Sequence, residues 1–269
     1  ADKFIVGSAH VEHSSHIKAT PSVRALAKRL NVDISHVKYM GDRIGALDIE
    51  RAAQLNQQKG QSEPLKGVRK SMAKAMKLSH EQVVPVTLFD DVDIHLWQKN
   101  EDITMRLIRA IAVACAQEPC LNTWFDGENL SRRILEQVDL GIAVDTGKGL
   151  FVPVLRDIKN REIAHLRQGL DDLRAAVTSR KIPPQELQGA TITLSNFGTL
   201  AGKYATPIVV PPQVAIVGAG GIYQKMLLKN QKAIEHNFLP LSLTFDHRAV
   251  TGGEAARFLK ILMEDLASS

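Results

Sequence analysis

A polar stretch at residues 54–64, reading Gln-Leu-Asn-Gln-Gln-Lys-Gly-Gln-Ser-Glu-Pro, divides the chain into two parts that must each bury a core of their own. It carries Gly60 and Pro64 and no sustained apolar period, which is the composition of a linker. The preceding segment, 18–53, is about 36 residues long, enough only for a marginal mini-domain. The following segment, 65–269, holds most of a chain that is 44% hydrophobic, so one substantial core is expected there.

The short segment reads as two helices. Thr20 is placed to cap and Pro21 fits a first turn. Val23, Leu26, Ala27 and Leu30 then recur at helical spacing, and Asn31 ends the run. Ile34, Val37, Leu47 and Ile49 are expected to supply the remaining apolar contacts. Residues 1–17 are polar and contain His10, His13 and His16. Spacing of three suits a metal, but Glu12 is the one carboxylate among these histidines, and a flexible leader is the reading preferred.

The long segment mixes periods. Helices are expected at 68–80, 104–116, 163–179 and 253–266, the second of them strongly apolar. Strands are expected at 83–94, 138–144, 150–155, 191–195, 213–217 and 239–245. Helices and strands do not alternate strictly, so an α+β domain with a mixed sheet fits better than a doubly wound one. Val217-Gly-Ala-Gly-Gly221 superficially resembles a dinucleotide loop, but no helix with the proper fingerprint follows it.

A net charge of +5 is too mild to mark a nucleic-acid binder, although it suits an acidic ligand or partner. No apolar run reaches the ~18 residues of a membrane span, and the opening residues are too polar for a signal peptide. Cys115 and Cys120 have no partners for a zinc ribbon and read as reduced core thiols of a cytosolic-type compartment. No metal site is expected.

The segment carrying chemistry is Asp246-His-Arg-Ala-Val-Thr-Gly-Gly253, between an apolar strand and a helix. A histidine at such a junction is exposed to a cleft, and its neutral ring takes a thiol proton near neutral pH. Taken alone, a loop histidine is more often a surface group. Four further motifs change that reading: Gly141-Ile-Ala-Val-Asp145-Thr-Gly-Lys-Gly-Leu150, Val152-Pro-Val154, Thr193-Leu-Ser-Asn-Phe-Gly198 and Pro207-Ile-Val-Val-Pro-Pro-Gln-Val-Ala-Ile216. Together with Glu63-Pro-Leu-Lys-Gly67 they resemble, in order, the catalytic domain of the dihydrolipoamide acyltransferases of 2-oxo acid dehydrogenase complexes and, more distantly, chloramphenicol acetyltransferase.

That resemblance implies a chloramphenicol-acetyltransferase-like α+β fold over residues 65–269. It implies that an acyl group passes between coenzyme A, as substrate, and a lipoyl thiol supplied by another domain or chain. His247 is then the general base and Ser195 the oxyanion donor. Thr251 stands where the family pattern has Asp or Asn, so it is a third catalytic candidate, with a hydroxyl in place of a charge or amide. Asp246 is expected to hold the loop through Arg248. Thr104, Asp145, Asn196, Thr199, Gly220 and Ile222 match coenzyme A contacts. Gly218, Gly220 and Gly221 would allow close backbone approach.

Lys18-Ala-Thr-Pro-Ser-Val-Arg-Ala-Leu-Ala27, followed by Asn31-Val-Asp-Ile34, resembles the peripheral subunit-binding domain of the same enzymes. The implied partners are a 2-oxo acid decarboxylase and dihydrolipoamide dehydrogenase, met by Arg24, Lys28 and Arg29. Residues 39–47 depart from that domain's usual loop. Homotrimers with sites between subunits, built into cubic or dodecahedral cores, are implied, in a bacterial cytoplasm or a mitochondrial matrix, with neither nucleic acid nor membrane as partner. Acetyl is the first expectation for the acyl group, branched-chain acyl the second. The competing expectation is a non-catalytic scaffold of the same architecture.

Overall fold

A computed structural model describes residues 18–59, 63–98, 100–147, 149–229 and 231–268. His10, His13 and His16 lie outside the described residues. The chain divides at Gly67/Val68 into two compact units, the smaller of them N-terminal.

In the smaller unit α1 (Pro21–Arg29) starts where Thr20 accepts the Val23 N–H at 3.4 Å. A single 3₁₀ turn (Ile34–His36) and α2 (Ala46–Lys59) follow. The helix runs six residues into the stretch read as linker, because nothing before Gly60 breaks it. Val23, Ala27, Val32, Val37, Ile44, Ile49 and Ala53 form the core. Ile44 is fully enclosed, whereas Leu47, expected inside, is 68% exposed on the outer side of α2. Arg24, proposed for a partner-facing surface, donates to the Ala19 carbonyl at 3.3 Å.

The larger unit opens with α3 (Gly67–Gln82) and β1 (Pro85–Asp93). Next comes α4 (Ile103–Gln117), whose first turn is capped by Asp102 through the Thr104 and Met105 N–H groups. Nine of its residues are buried, among them Leu107, Ile108 and Ile111, each worth about 1.5–3 kcal/mol of transfer free energy. The hairpin β2 (Thr123–Asp126) and β3 (Ser131–Ile134) stands apart as a small sheet. β4 (Leu140–Ile142), β5 (Val144–Asp145), β6 (Leu150–Phe151) and β7 (Val154–Leu155) lead to α5 (Ile163–Thr178). β8 (Ile192–Asn196), β9 (Ala215–Ala219), β10 (Tyr223–Lys229), β11 (Lys232–Asp246) and α6 (Gly252–Ala267) complete it.

The main sheet has the order β1-β11-β9-β8-β4-β7, with β10 paired to the first half of β11. β4, β8 and β9 run parallel and the other pairs are antiparallel, so the sheet is mixed, as expected of an α+β domain. Leu239, Leu241, Leu243 and Phe245 alternate onto the face that joins α4 and α6 in the main core. The opposite face carries small polar side chains that bond across the strands and hold irregular chain against the sheet. The Thr87 and Thr244 hydroxyls are 2.8 Å apart, Thr193 donates to Gln213 at 2.6 Å, and Ser242 accepts from the Ala205 N–H at 3.2 Å. No described helix is long and apolar enough to cross a membrane.

Candidate active site

The loop after β11 is built around an ion pair between a buried Asp246 and an exposed Arg248. Asp246 is 2% exposed, and both its carboxylate oxygens accept from Arg248, the shortest contact being 2.7 Å. The same carboxylate accepts the Val84 N–H at 3.3 Å, and His247 N–H donates to the Val84 carbonyl at 2.9 Å. Arg248 also reaches the Gln82 carbonyl and lies 4.9 Å over the Phe125 ring. Pairing inside the fold offsets the cost of burying Asp246 and leaves the loop one geometry. The expectation that Asp246 acts through Arg248 matches this arrangement. His247 itself is exposed, its ring 5.7 Å from that of Phe245, and no described residue hydrogen-bonds the imidazole.

Thr251 has a structural task in this loop. It is the N-cap of α6, accepting the Glu254 N–H at 3.3 Å, while its own N–H and hydroxyl donate to the Glu254 carboxylate at 2.7 and 2.9 Å. The hydroxyl's single proton and one of its acceptor sites are used in this capping box, so it has no proton left to donate toward the base. Glu254 is held far below the usual carboxylate range, at about 2, first by the Thr251 N–H and then by Cys120, the Thr251 hydroxyl and Arg132, against the opposing effect of burial. Cys120, half-buried in the 3₁₀ turn after α4, lies beside Glu254, whereas Cys115 is fully in the core. Glu118, Cys120 and Glu254 come together as metal-type donors, but the two carboxylates already hold Arg257 (2.6 Å) and Arg132 (3.7 Å) respectively.

The remaining candidates gather elsewhere. Because β4, β8 and β9 are parallel, their C-terminal ends lie on one edge of the sheet. That edge presents Asp145 after β4, Ser195 and Asn196 at the end of β8, and Gly220 after β9. Ile222, 40% exposed, and exposed Thr199 flank them. Thr104 is in the first turn of α4, which starts ten residues after β1 ends on the same edge. Asp145 accepts the Gly147 N–H at 2.8 Å and Asn196 accepts the Gly198 N–H at 3.2 Å, so both shape their own turns.

At Gly198 and Gly220 the close backbone approach is made by the protein's own chain. A Cβ on Gly198 would lie 2.2 Å from the Gly220 carbonyl oxygen, and one on Gly220 would lie 2.1 Å from the Lys203 oxygen. What these positions admit is the protein's own loop 198–203. That loop is also tied down by Asp91 of β1, which accepts from Tyr223 (2.6 Å), Tyr204 (2.8 Å) and Lys203 (3.3 Å). Sequence reasoning misses Asp91, Arg132 and Glu254. Only Glu254 carries a signal there, the Thr-x-x-Glu pattern of a capping box ahead of an apolar helix.

His247 and Ser195 are not brought together within one chain. Ser195 is level with Gly218, and Gly218 with Ser242 of β11. His247 lies five residues beyond Ser242, toward the opposite edge. Five residues at about 3.3 Å and two strand spacings of about 4.8 Å separate the pair by roughly 19 Å. One chain thus presents two half-sites on opposite edges, a base on one and a hydroxyl with its ligand candidates on the other.

Comparison with known proteins bears on what the halves belong to. The family model for the catalytic domain of 2-oxoacid dehydrogenases acyltransferase matches residues 57–268. The acetyltransferase component of the pyruvate dehydrogenase complex of Staphylococcus epidermidis is 31% identical over 307 residues, spanning 95% of this chain and 70% of the relative. The corresponding component of the acetoin cleaving system of Bacillus subtilis is 30% identical, covering 91% and 68%. Among solved structures, the dihydrolipoamide acetyltransferase of Azotobacter vinelandii superposes with a TM-score of 0.72 at 28% identity, covering 78% of this chain and 93% of that one. The chain belongs to the 2-oxoacid dehydrogenase acyltransferase family.

Proposed function

We propose that the protein is a dihydrolipoyllysine-residue acyltransferase, the core component of a 2-oxo acid dehydrogenase complex. The observation that carries the reading is an exposed imidazole, His247, on a loop fixed by the pairing of buried Asp246 with Arg248, in a member of an acyltransferase family. In the proposed reaction His247 takes the proton of the attacking thiol, from coenzyme A or dihydrolipoamide. The thiolate adds to the thioester carbonyl, and the Ser195 hydroxyl donates to the oxygen that becomes negative. Collapse of the tetrahedral adduct expels the second thiolate, which recovers the proton from the imidazolium.

His247 and Ser195 act on one carbonyl only if the base comes from one copy of the chain and the hydroxyl from another. This supports a homotrimer with sites between subunits, assembled into a larger core. Thr104, Asp145, Asn196, Thr199, Gly220 and Ile222 are proposed to line the coenzyme A side of each site. Acetyl remains the first choice of acyl group, in keeping with the acetyltransferase relatives. Residues 18–53 are proposed as a unit that binds the decarboxylase or the dihydrolipoamide dehydrogenase. The bacterial relatives favour a bacterial cytoplasm over a mitochondrial matrix. The scaffold alternative draws on Thr251, and that argument weakens once Thr251 is accounted for as a helix cap.

The test is acetyl transfer from acetyl-coenzyme A to free dihydrolipoamide. The wild type is expected to turn over, and His247→Ala to lose about 10²–10⁴-fold in kcat with assembly intact. An inactive wild type with an intact core would make the chain a scaffold. Full activity in His247→Ala would remove the mechanism.

A further inference from the structure

The loop from His247 to Thr251 has two ends, and they are fixed by different groups. Asp246, Arg248 and the Val84 backbone hold the near end. At the far end Glu254 Oε2 accepts from both the Thr251 N–H (2.7 Å) and its hydroxyl (2.9 Å). The β2–β3 hairpin adds a clasp: Arg132 Nη1 donates to the Ala249 carbonyl at 3.0 Å and lies 3.7 Å from Glu254 Oε1. One guanidinium thus ties the middle of the loop to the carboxylate that holds its end. Glu254 is mostly enclosed, with 17% of its side chain exposed, while Arg132 reaches it from the solvent side with 39% of its own exposed.

We propose that Glu254, with Arg132, is the positioning pair that fixes the His247 loop, supplying from within α6 a carboxylate beside position 251, where the family pattern has Asp or Asn. Neither residue touches the reacting atoms. Their effect is to hold the backbone from 249 to 251 and, through it, the direction in which the imidazole leaves the loop. The groups facing Glu254 are Arg132 from β3, Cys120 and Glu118 beyond α4, and Arg257 one helical turn on. Of these, Arg132 alone also bonds the loop. The clasp explains why threonine is acceptable at 251: an N-cap hydroxyl suffices once the charge comes from residue 254. The proposal rests on the acyltransferase reading, with His247 as base.

The experiment compares wild type, Glu254→Ala, Arg132→Met and the double variant Thr251→Asp/Glu254→Ala in the assembled core. Glu254→Ala is expected to lower kcat about ten- to a hundredfold, the size of effect that sub-ångström to ångström misplacement produces, with KM for acetyl-coenzyme A unchanged. Arg132→Met should fall in the same direction. Aspartate at 251 caps a helix and brings its own carboxylate toward Arg132, so the double variant should regain most of the lost kcat. A kcat within twofold of wild type in Glu254→Ala would overturn the proposal. So would a double variant with wild-type thermal stability that stays as slow as Glu254→Ala, since the glutamate would then be only a cap. Hydrogen exchange of the peptide covering 246–252 provides a readout that does not need turnover. It should quicken in Glu254→Ala and slow again in the double variant, even if the wild type transfers no acyl group, and unchanged exchange would likewise overturn the proposal.

Discussion

Chains carrying His247→Ala and chains carrying Ser195→Ala should complement each other inside one assembly. The two residues sit on opposite edges of the sheet, roughly 19 Å apart by strand register, far beyond the ~3 Å reach of groups acting on one carbonyl. On the proposed mechanism a site therefore draws its base from one copy and its hydroxyl from a neighbour. In a randomly mixed cyclic assembly, each interface receives an intact base with probability one half and an intact hydroxyl with probability one half. About one quarter of the sites are then complete. Each parent is expected to retain about 1% of wild-type kcat or less, given the size of base and oxyanion-donor effects. The mixture should thus recover roughly a quarter of wild-type activity, at least tenfold above either parent. The assay co-expresses the two variants with different affinity tags, purifies doubly tagged cores and follows acetyl transfer to dihydrolipoamide. Doubly tagged cores no more active than the parents would refute the two-copy site, because shared catalysis requires only that the chains mix.

Three further outcomes follow from the same geometry. Gly198→Ala places a methyl 2.2 Å from the Gly220 carbonyl oxygen, against backbone that cannot rotate away. It should cost about 3 kcal/mol, near the top of the overpacking range, and lower the thermal midpoint by several degrees. Asp91→Ala should loosen loop 198–203 and raise KM for acetyl-coenzyme A roughly three- to tenfold, the equivalent of about one net hydrogen bond, and KM measured beside wild type checks it. Acid should weaken the His247 loop through Glu254, whose pKa is lowered from 4.5 to about 2 on folding, first by the Thr251 N–H. Its stabilising effect is fully present above pH 4.5 and is lost as pH falls toward 2, so thermal midpoints should decline over that window, with Glu254→Ala declining less.

Local chemistry makes much of the protein legible in the sequence. The Thr20 cap and the helix after it follow from residue types that act within one turn. The apolar period of 104–116 is the core helix α4, and the strand before Asp246-His247 ends where the pattern ends. The hairpin of β10 with the first half of β11 escapes a reading by apolar pattern. None of residues 232–238 is buried, and His236 interrupts the apolar side of that stretch between Ile234 and Phe238. Hairpin β2–β3 escapes for a related reason: β3, Ser131–Ile134, is exposed at every position, so no apolar stripe marks it.

What the sequence determined by itself was the inventory: a histidine at a strand–loop junction, a serine at a strand end, glycines, and the order of motifs that places the chain in its family. What the tertiary structure decided was their arrangement. Parallel pairing of β4, β8 and β9 collects Ser195 and the ligand candidates on one edge, while the antiparallel return of β11 carries His247 to the other. It also decided that Gly198 and Gly220 make room for the chain itself, and that Thr251 turns toward Glu254. Each of these depends on strands or loops far apart in sequence coming into register, and register is fixed by packing and hydrogen bonding across the whole sheet, which no local window of residues contains.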